Sequence, residues 1–338
     1  MTDPTPRPPL AVVIGASAGG VEALLRLCAG LPADLPAIVA VVLHVGTHPS
    51  ILPELLNVRG PLRAVHAHDG QRLSTGVVYV APPDRHLLLE REVLRVNRGP
   101  KENHARPAID PLFRSAAVHW GPRAVGVVLS GQLDDGAAGL AAIKDCGGMA
   151  IVQDPDEAPE PGMPLAALEN VAVDWRLRVD EITAKLMELA GLPGRVSTVR
   201  SEHVERELAM NQGADSSDHL PTIGTPSGLT CPDCGGSLWE VRDTRPLRYR
   251  CHTGHAFTAR SLAHGQQEIA DQALWTGVRA LHERAMLLRR MSAVARGTGD
   301  PAQAEISEAQ AARVQEQADE VERLARAPQA ATRNDDGA

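Results

Sequence analysis

Ser17 stands in the run Gly15-Ala16-Ser17-Ala18-Gly19-Gly20, between a strand-like apolar stretch and a helical one. A hydroxyl there emerges at the carboxyl end of a strand, and its small neighbours leave room for a substrate. The amides of Ala18 and Gly19, opening the helix, suit a developing negative charge. The implied chemistry is nucleophilic attack on a carbonyl, and residues 15–19 satisfy the G-x-S-x-G nucleophile-elbow pattern. His44 closes the apolar run 38–43, so it too ends a strand. Imidazole titrates near neutrality and can take the serine proton as general base. A third set, Ser130-Gly131-Gln132-Leu133-Asp134-Asp135-Gly136, follows the strand-like run 125–129 and offers an acid to orient the histidine. Spacing leaves Asp134 and Asp135 equal, because an aspartate there also caps the helix that follows. A dinucleotide turn fits less well, since Ser17 replaces the middle glycine of G-x-G-x-x-G and no acid ends the second strand.

A second constellation lies late in the chain: Cys231-Pro232-Asp233-Cys234, then Cys251-His252-Thr253-Gly254-His255. Paired short spacings let two knuckles present soft ligands tetrahedrally, which suits zinc. The set read here is Cys231, Cys234, Cys251 and His255, because His252 would have to double back. Four protein ligands close the site, so the zinc is structural and catalysis needs no cofactor. Cys28 and Cys146 sit in apolar helical contexts and read as buried free thiols.

The elements that must position these groups alternate. Apolar runs 10–14, 38–45, 124–129 and 149–152 read as buried strands, and 20–31, 50–56, 109–120, 136–146 and 179–190 as helices. This predicts an α/β fold with a doubly wound, mostly parallel, Rossmann-like sheet. Residues 76–98 read as an antiparallel ribbon added to one edge. Ser17, His44 and one aspartate then meet at the carboxyl edge of one sheet, where ligands bind in such folds. The remaining organisation reads as a linker (193–228), a zinc-ribbon-like module (229–260) and a helical hairpin (261–328). Residues 1–8 and 329–338 read as disordered tails. The 34 basic and 42 acidic side chains give a net charge of −8, and aromatics are 2%. Nucleic acid and anionic membranes are therefore poor partners, and Arg242, Arg245, Arg248 and Arg250 of the module read as a solvated face. No secretory signal or membrane-length apolar run is visible, which predicts a cytoplasmic protein.

The phrases VVIGASAGGVEAL, VVLHV, GVVYVAPPDRHLLL, RPAIDPLFRSAA and VVLSGQLDDGAAGL, in that order, resemble the catalytic domain of CheB-type chemotaxis methylesterases over residues 9–192. The resemblance implies hydrolysis of glutamate γ-methyl esters on methyl-accepting chemoreceptors, with deamidation of receptor glutamines as a second activity. It assigns Ser17 as nucleophile, His44 as base and Asp135 as the acid, and gives the Gln132 amide an oxyanion role. The chain order Ser–His–Asp also differs from the Ser–Asp–His of α/β-hydrolases. Two departures fall on the rim: a family glycine is Leu133, and His44 is followed by Val45-Gly46-Thr47-His48-Pro49. His48 is a poorer base by its loop position. His104 and Arg106 either line the crevice or are solvated. About nine residues precede the first strand, which leaves no room for the receiver domain of chemotaxis members. Regulation is expected from a separate response regulator or from the carboxyl-terminal region. The other reading is a signalling scaffold that keeps the esterase fold and binds partners through its ribbon and helices.

Overall fold

Strands whose side chains are apolar on both sides must be covered on both sides, and that requirement shapes the first part of this chain. The computed structural model describes residues 9–192 and 199–327. In chain order the elements are β1 (Leu10–Ala16), α1 (Gly20–Gly30), β2 (Ala37–Leu43), α2 (Leu52–Arg59), β3 (Arg63–His66), β4 (Val77–Val80), β5 (His86–Leu89) and β6 (Leu94–Asn97). They continue with α3 (Ile109–Trp120), β7 (Ala124–Val128), α4 (Ala137–Asp145), β8 (Met149–Gln153), α5 (Gly162–Asn170), β9 (Trp175–Leu177) and α6 (Val179–Gly191).

Seven strands form one parallel sheet in the order β3-β4-β2-β1-β7-β8-β9. Ile38, Ala40 and Val42 of β2 pack with the apolar side chains of α3 and α4 on one face. Val39 and Val41 pack with those of α1, α2 and α6 on the other. Each such buried valine or isoleucine contributes roughly 1.5–3 kcal/mol. The expected doubly wound architecture is therefore present. Within 76–98 the expected edge ribbon divides. β4 enters the main sheet in parallel, pairing both β2 and β3. β5 and β6 form their own antiparallel pair. Apolar runs this short carry no mark of their partner, which the rest of the fold decides.

From β1 the chain moves one way to β2, β4 and β3 and later the other way to β7, β8 and β9. That reversal opens a crevice at the carboxyl ends of β1, β2 and β7.

The segment expected as linker is structured where it is described. It holds α7 (Glu202–Asn211), α8 (Ser216–Ile223) and β10 (Gly224–Thr230), the first strand of the later sheet. Residues 193–198 of that segment, and the two tails, lie outside the described residues. The antiparallel sheet is completed by β11 (Ser237–Val241), β12 (Arg248–Cys251) and β13 (Ala256–Thr258), in the order β10-β11-β12-β13. Residues up to Ala263 make one compact unit, so the break expected at 192 is not where that unit ends.

The reason is a buried set of charges. Glu102, just before α3, accepts from Arg114 of α3, from Arg250 of β12 at 2.6 Å and from the Asn211 amide of α7 at 2.6 Å. Glu207 of α7 accepts from Arg248 at 2.7 and 2.8 Å and from Arg250 at 2.9 Å. Arg248 and Arg250 are thus buried ion-pair partners, and only Arg242 and Arg245 fit the solvated reading.

The second unit begins at His264. It contains most of α9 (Ala259–Gly297) and α10 (Pro301–Arg326). Val278, Ala285 and Ser292 are buried at seven-residue spacing, opposed by Ala304, Ser307, Ala311, Val314 and Ala318. Ser292 donates to the Ala304 carbonyl at 2.9 Å, and Asp300 caps α10 through the Gln303 amide. This is the expected hairpin, with a coiled-coil-like seam of small residues.

Candidate active site and metal site

The sheet register places the three strand ends side by side. Ala16 pairs with Leu43, and Gly15 with Val128. Beyond these pairs the His44 amide donates to the Ala16 carbonyl at 3.1 Å, and the Ser17 amide to the Ser130 carbonyl at 2.9 Å. Backbone geometry alone therefore brings residues 17, 44 and 130–135 to one crevice. Gly131 passes so close that an added Cβ would lie 2.8 Å from Ser17 Cβ and 2.1 Å from Met163 Sδ. Gly19 turns into α1 with φ +72°, a left-handed conformation that glycine adopts without steric cost.

The side chains complete a relay. His44 Nδ1 lies 3.1 Å from Ser17 Oγ, and His44 Nε2 lies 2.8 Å from Asp135 Oδ2. Side-chain exposure is 20% at His44 and 4% at Asp135, so the carboxylate is sealed while the imidazole reaches the crevice. The Asp135 carboxylate also accepts from the Ile109 amide at 2.7 Å and from Asn103 Nδ2 at 2.9 Å. Burial opposes its charge, but the His44 contact and these bonds outweigh it and hold the carboxyl below the usual carboxylate range. An ionised acceptor on Nε2 fixes the proton on that nitrogen and leaves the Nδ1 lone pair facing Ser17.

Asp134, whose position also suits a cap for the helix that follows, does not cap it. It is buried, contacts Thr258, and burial pushes its carboxyl up to about 6. The cap of α4 is Gly136. Asp110, in the first turn of α3, holds α4 in place by accepting from the amides of Gly136 at 3.0 Å and Gly139 at 2.6 Å. Burial and the adjacent Asp135 charge drive the Asp110 carboxyl well above its ordinary range.

Around the predicted oxyanion position, the amides of Ser17, Gly20 and Gly131 are engaged by carbonyls. Gln132, Ala18 and Gly19 are exposed on these turns. Leu133, where the resemblance calls for glycine, sits at φ +59°. A cleft of about 400 Å³ beside His44 is lined by His48, His104 and Arg106 among others. The latter pair lines the crevice as one of the two readings has it, and both side chains are tied to protein: Arg106 is bound to Asp84 at 2.7 and 2.8 Å, and His104 bonds the Ser261 carbonyl at 3.1 Å.

The second constellation assembles as expected. Ligand atoms of Cys231, Cys234, Cys251 and His255 all lie within 4.8 Å of one another. Cys234 Sγ is 3.7 Å from Cys251 Sγ, and His255 Nδ1 is 3.8 and 3.5 Å from the sulfurs of Cys231 and Cys251. A tetrahedron with zinc–sulfur bonds of about 2.3 Å has edges of roughly 3.8 Å, so these donors fit a zinc ion. Each knuckle is closed by its own backbone, Gly235 to Cys231 and Gly254 to Cys251, both at 2.9 Å. His255 Nε2 faces Asp233 at 3.9 Å, a carboxylate that leaves Nδ1 for the metal. His252 lies instead over Gly236, where an added Cβ would meet its ring at 2.3 Å. Cys28 and Cys146 are buried and free.

Sequence reasoning missed Asn103, Asp110, Glu102, Glu207 and Thr258. Asp110 could have been flagged as an acid opening a predicted helix, but the others carry no local signal.

The fold and its relay define a parallel α/β protein with a Ser–His–Asp chain in the order expected. The chain belongs to the CheB methylesterase family, which matches it over residues 12–186. It is 44% identical over 179 residues to protein-glutamate methylesterase/protein-glutamine glutaminase 2 of Anaeromyxobacter dehalogenans, covering 53% of this chain and 52% of that protein. It thus spans about half the length of that relative. A putative protein of the same designation from Leptospira interrogans is 36% identical over 53% of this chain and 94% of its own length. The crystal structure of the Thermotoga maritima CheB methylesterase catalytic domain superposes with a TM-score of 0.52 and 32% identity, over 54% of this chain and 98% of that one.

Proposed function

We propose that this protein is a protein-glutamate methylesterase acting on γ-methyl esters of methylated signalling receptors, with glutamine deamidation as a second activity of the same site. The observation that carries the reading is His44 bridging Ser17 at 3.1 Å and Asp135 at 2.8 Å. In the proposed reaction His44 Nδ1 takes the Ser17 proton as Oγ bonds to the ester carbonyl carbon. The resulting oxyanion is received by the amides of Gln132, Ala18 and Gly19. The carbonyl reforms as the methoxide leaves, taking the proton from His44 to depart as methanol. Water then gives a proton to His44 and attacks the acyl-Ser17 carbon. Collapse returns that proton to Ser17 and releases the glutamate. Asp135 remains ionised throughout and stabilises the imidazolium.

Zinc held by Cys231, Cys234, Cys251 and His255 supplies folding energy to the ribbon when bound. A cytoplasmic location, receptor substrates and a separate response regulator complete the proposal. What supports the first is that no described helix is long and apolar enough to cross a membrane.

Two measurements test the esterase reading. A serine-directed fluorophosphonate should label the wild type and leave Ser17→Ala unlabelled. Methanol release from a methylated receptor peptide should fall at least roughly 10³-fold in that variant. An unlabelled wild type would favour the scaffold reading.

A further inference from the structure

We propose that Asn103 is a positioning residue through which the metal-held ribbon sets the Ser17–His44–Asp135 relay, an inference that rests on the esterase reading above. Asn103 is gripped from two sides. Its backbone amide donates to the Ala256 carbonyl of β13 at 2.8 Å, and its side-chain oxygen accepts from the Thr258 amide at 2.9 Å. Glu102 forms a bridge with Ala256, which extends β13 by one partner. On the other side, Asn103 Nδ2 donates to Asp135 Oδ1 at 2.9 Å and to Asp110 Oδ2 at 3.0 Å.

The two ends of one planar amide cannot be oriented independently. A backbone N–H of β13 facing the oxygen obliges the NH₂ to face the two carboxylates. Asn103 and His104 are held at φ +49° and +62°. A pair of left-handed non-glycine residues persists only where the surroundings impose it, and β13 is part of those surroundings. The strand that does this begins one residue after His255, a ligand of the metal cluster. Metal at His255 therefore fixes Ala256 and Thr258, these fix the Asn103 amide, and the amide fixes Asp135 behind His44. A parallel contact joins Thr258 to Asp134, the residue next to Asp135. Loss of the metal should free β13, release the amide and loosen the carboxylate that orients the base.

The test uses the full zinc-loaded chain, with zinc release counted during chelation, and three readouts: deuterium uptake over 101–105, the His44 imidazole N–H resonance, and the rate of fluorophosphonate labelling at Ser17. Asn103→Gly removes the side chain while keeping a left-handed backbone accessible. In the wild type, chelation should raise exchange over 101–105, shift or broaden the His44 resonance, and slow labelling by roughly tenfold. Asn103→Gly should label roughly tenfold slower with zinc in place, and chelation should slow it little further, because both changes break one connection. Zinc release that leaves exchange and the resonance unchanged would overturn the proposal. So would independent, multiplying effects of chelation and Asn103→Gly, or a chain that binds no zinc. Failure of the esterase reading shows up separately, as an unlabelled wild type whose exchange and imidazole resonance still report whether the ribbon holds Asn103 and Asp135.

Discussion

Two buried sets of charge in the first unit are built on opposite plans. At the crevice one carboxylate, Asp135, collects donors from His44, Ile109 and Asn103, and its partner imidazole keeps a lone pair pointed at Ser17. In the knot between α3, α7 and β12, Glu102 and Glu207 are saturated by Arg114, Arg248 and Arg250, with Asn211 closing the remaining gap. The first arrangement leaves one group with unspent capacity for chemistry. The second uses nearly all its polar atoms to hold pieces together, with Arg114 Nη1 and Arg248 Nε the two left without a hydrogen-bond partner among the described residues. A buried carboxylate is therefore no mark of function by itself; what distinguishes the crevice is the group left free to react.

The sharpest way to break this contrast is to remove one carboxylate from the knot. Glu207→Gln leaves Arg248 and Arg250 with a neutral partner in a site where side-chain exposure is 1% at Glu207 and Arg250. Uncompensated buried charge of this kind costs about 3–5 kcal/mol. Urea unfolding of the zinc-loaded variant should show a loss of that size, while fluorophosphonate labelling per folded molecule stays near the wild-type rate. A loss below about 1 kcal/mol would mean that the knot is solvated or rearranges easily. A loss of labelling at unchanged stability would erase the functional distinction between the two sets.

Asp134 tests the boundary between them, being adjacent to the catalytic candidate yet turned toward Thr258. Its carboxyl is raised from an ordinary value of 3.8 to about 6, by burial first. A raised pKa means that the folded state holds the proton more tightly. The associated stability is complete below about pH 4 and is lost as pH rises through 6. A rise of that size corresponds to roughly 3 kcal/mol. Asp134→Asn should accordingly be more stable than wild type by about 2–3 kcal/mol at pH 8, with most of the difference gone at pH 4. Equal differences at both pH values would show that this carboxyl titrates normally.

The crevice was legible in the sequence because a parallel sheet turns chain order into geometry. Ser17, His44 and the stretch 130–135 each stand at or just beyond the end of an apolar strand, and β1 lies between β2 and β7 in the sheet, so the three ends are neighbours. The Cys/His cluster was legible for a different reason, since the short spacing within each pair already brings its side chains together. The knot was not legible. Glu102, Arg114, Glu207 and Arg250 are spread over about 150 positions, carry no spacing rule and look like solvated charges one at a time. Where the sequence reads as linker, the structure has α7, which buries Val204, Leu208 and Met210 together with Glu207 and Asn211; so few apolar positions among so many charges give only a weak helical pattern. Asn103 stayed hidden because its value lies in touching two elements whose adjacency depends on that same knot.

The smallest expected effect concerns Leu133, one of the two rim departures from the family pattern. Leu133 has φ +59°, which costs a residue with a Cβ roughly 1–2 kcal/mol. Leu133→Gly removes that strain but gains freedom in the unfolded chain worth about 0.4–1 kcal/mol and gives up part of a half-buried side chain. The balance should lie within about 1 kcal/mol of wild type, visible as a small shift in the urea midpoint. The informative measurement is the kinetic split on methylated peptides. A leucine on the rim that only contacts substrate should change KM and leave kcat within about threefold. A tenfold fall in kcat would instead mean that the leucine's bulk holds the neighbouring Gln132 amide where the oxyanion forms, making the departure from glycine part of the machinery.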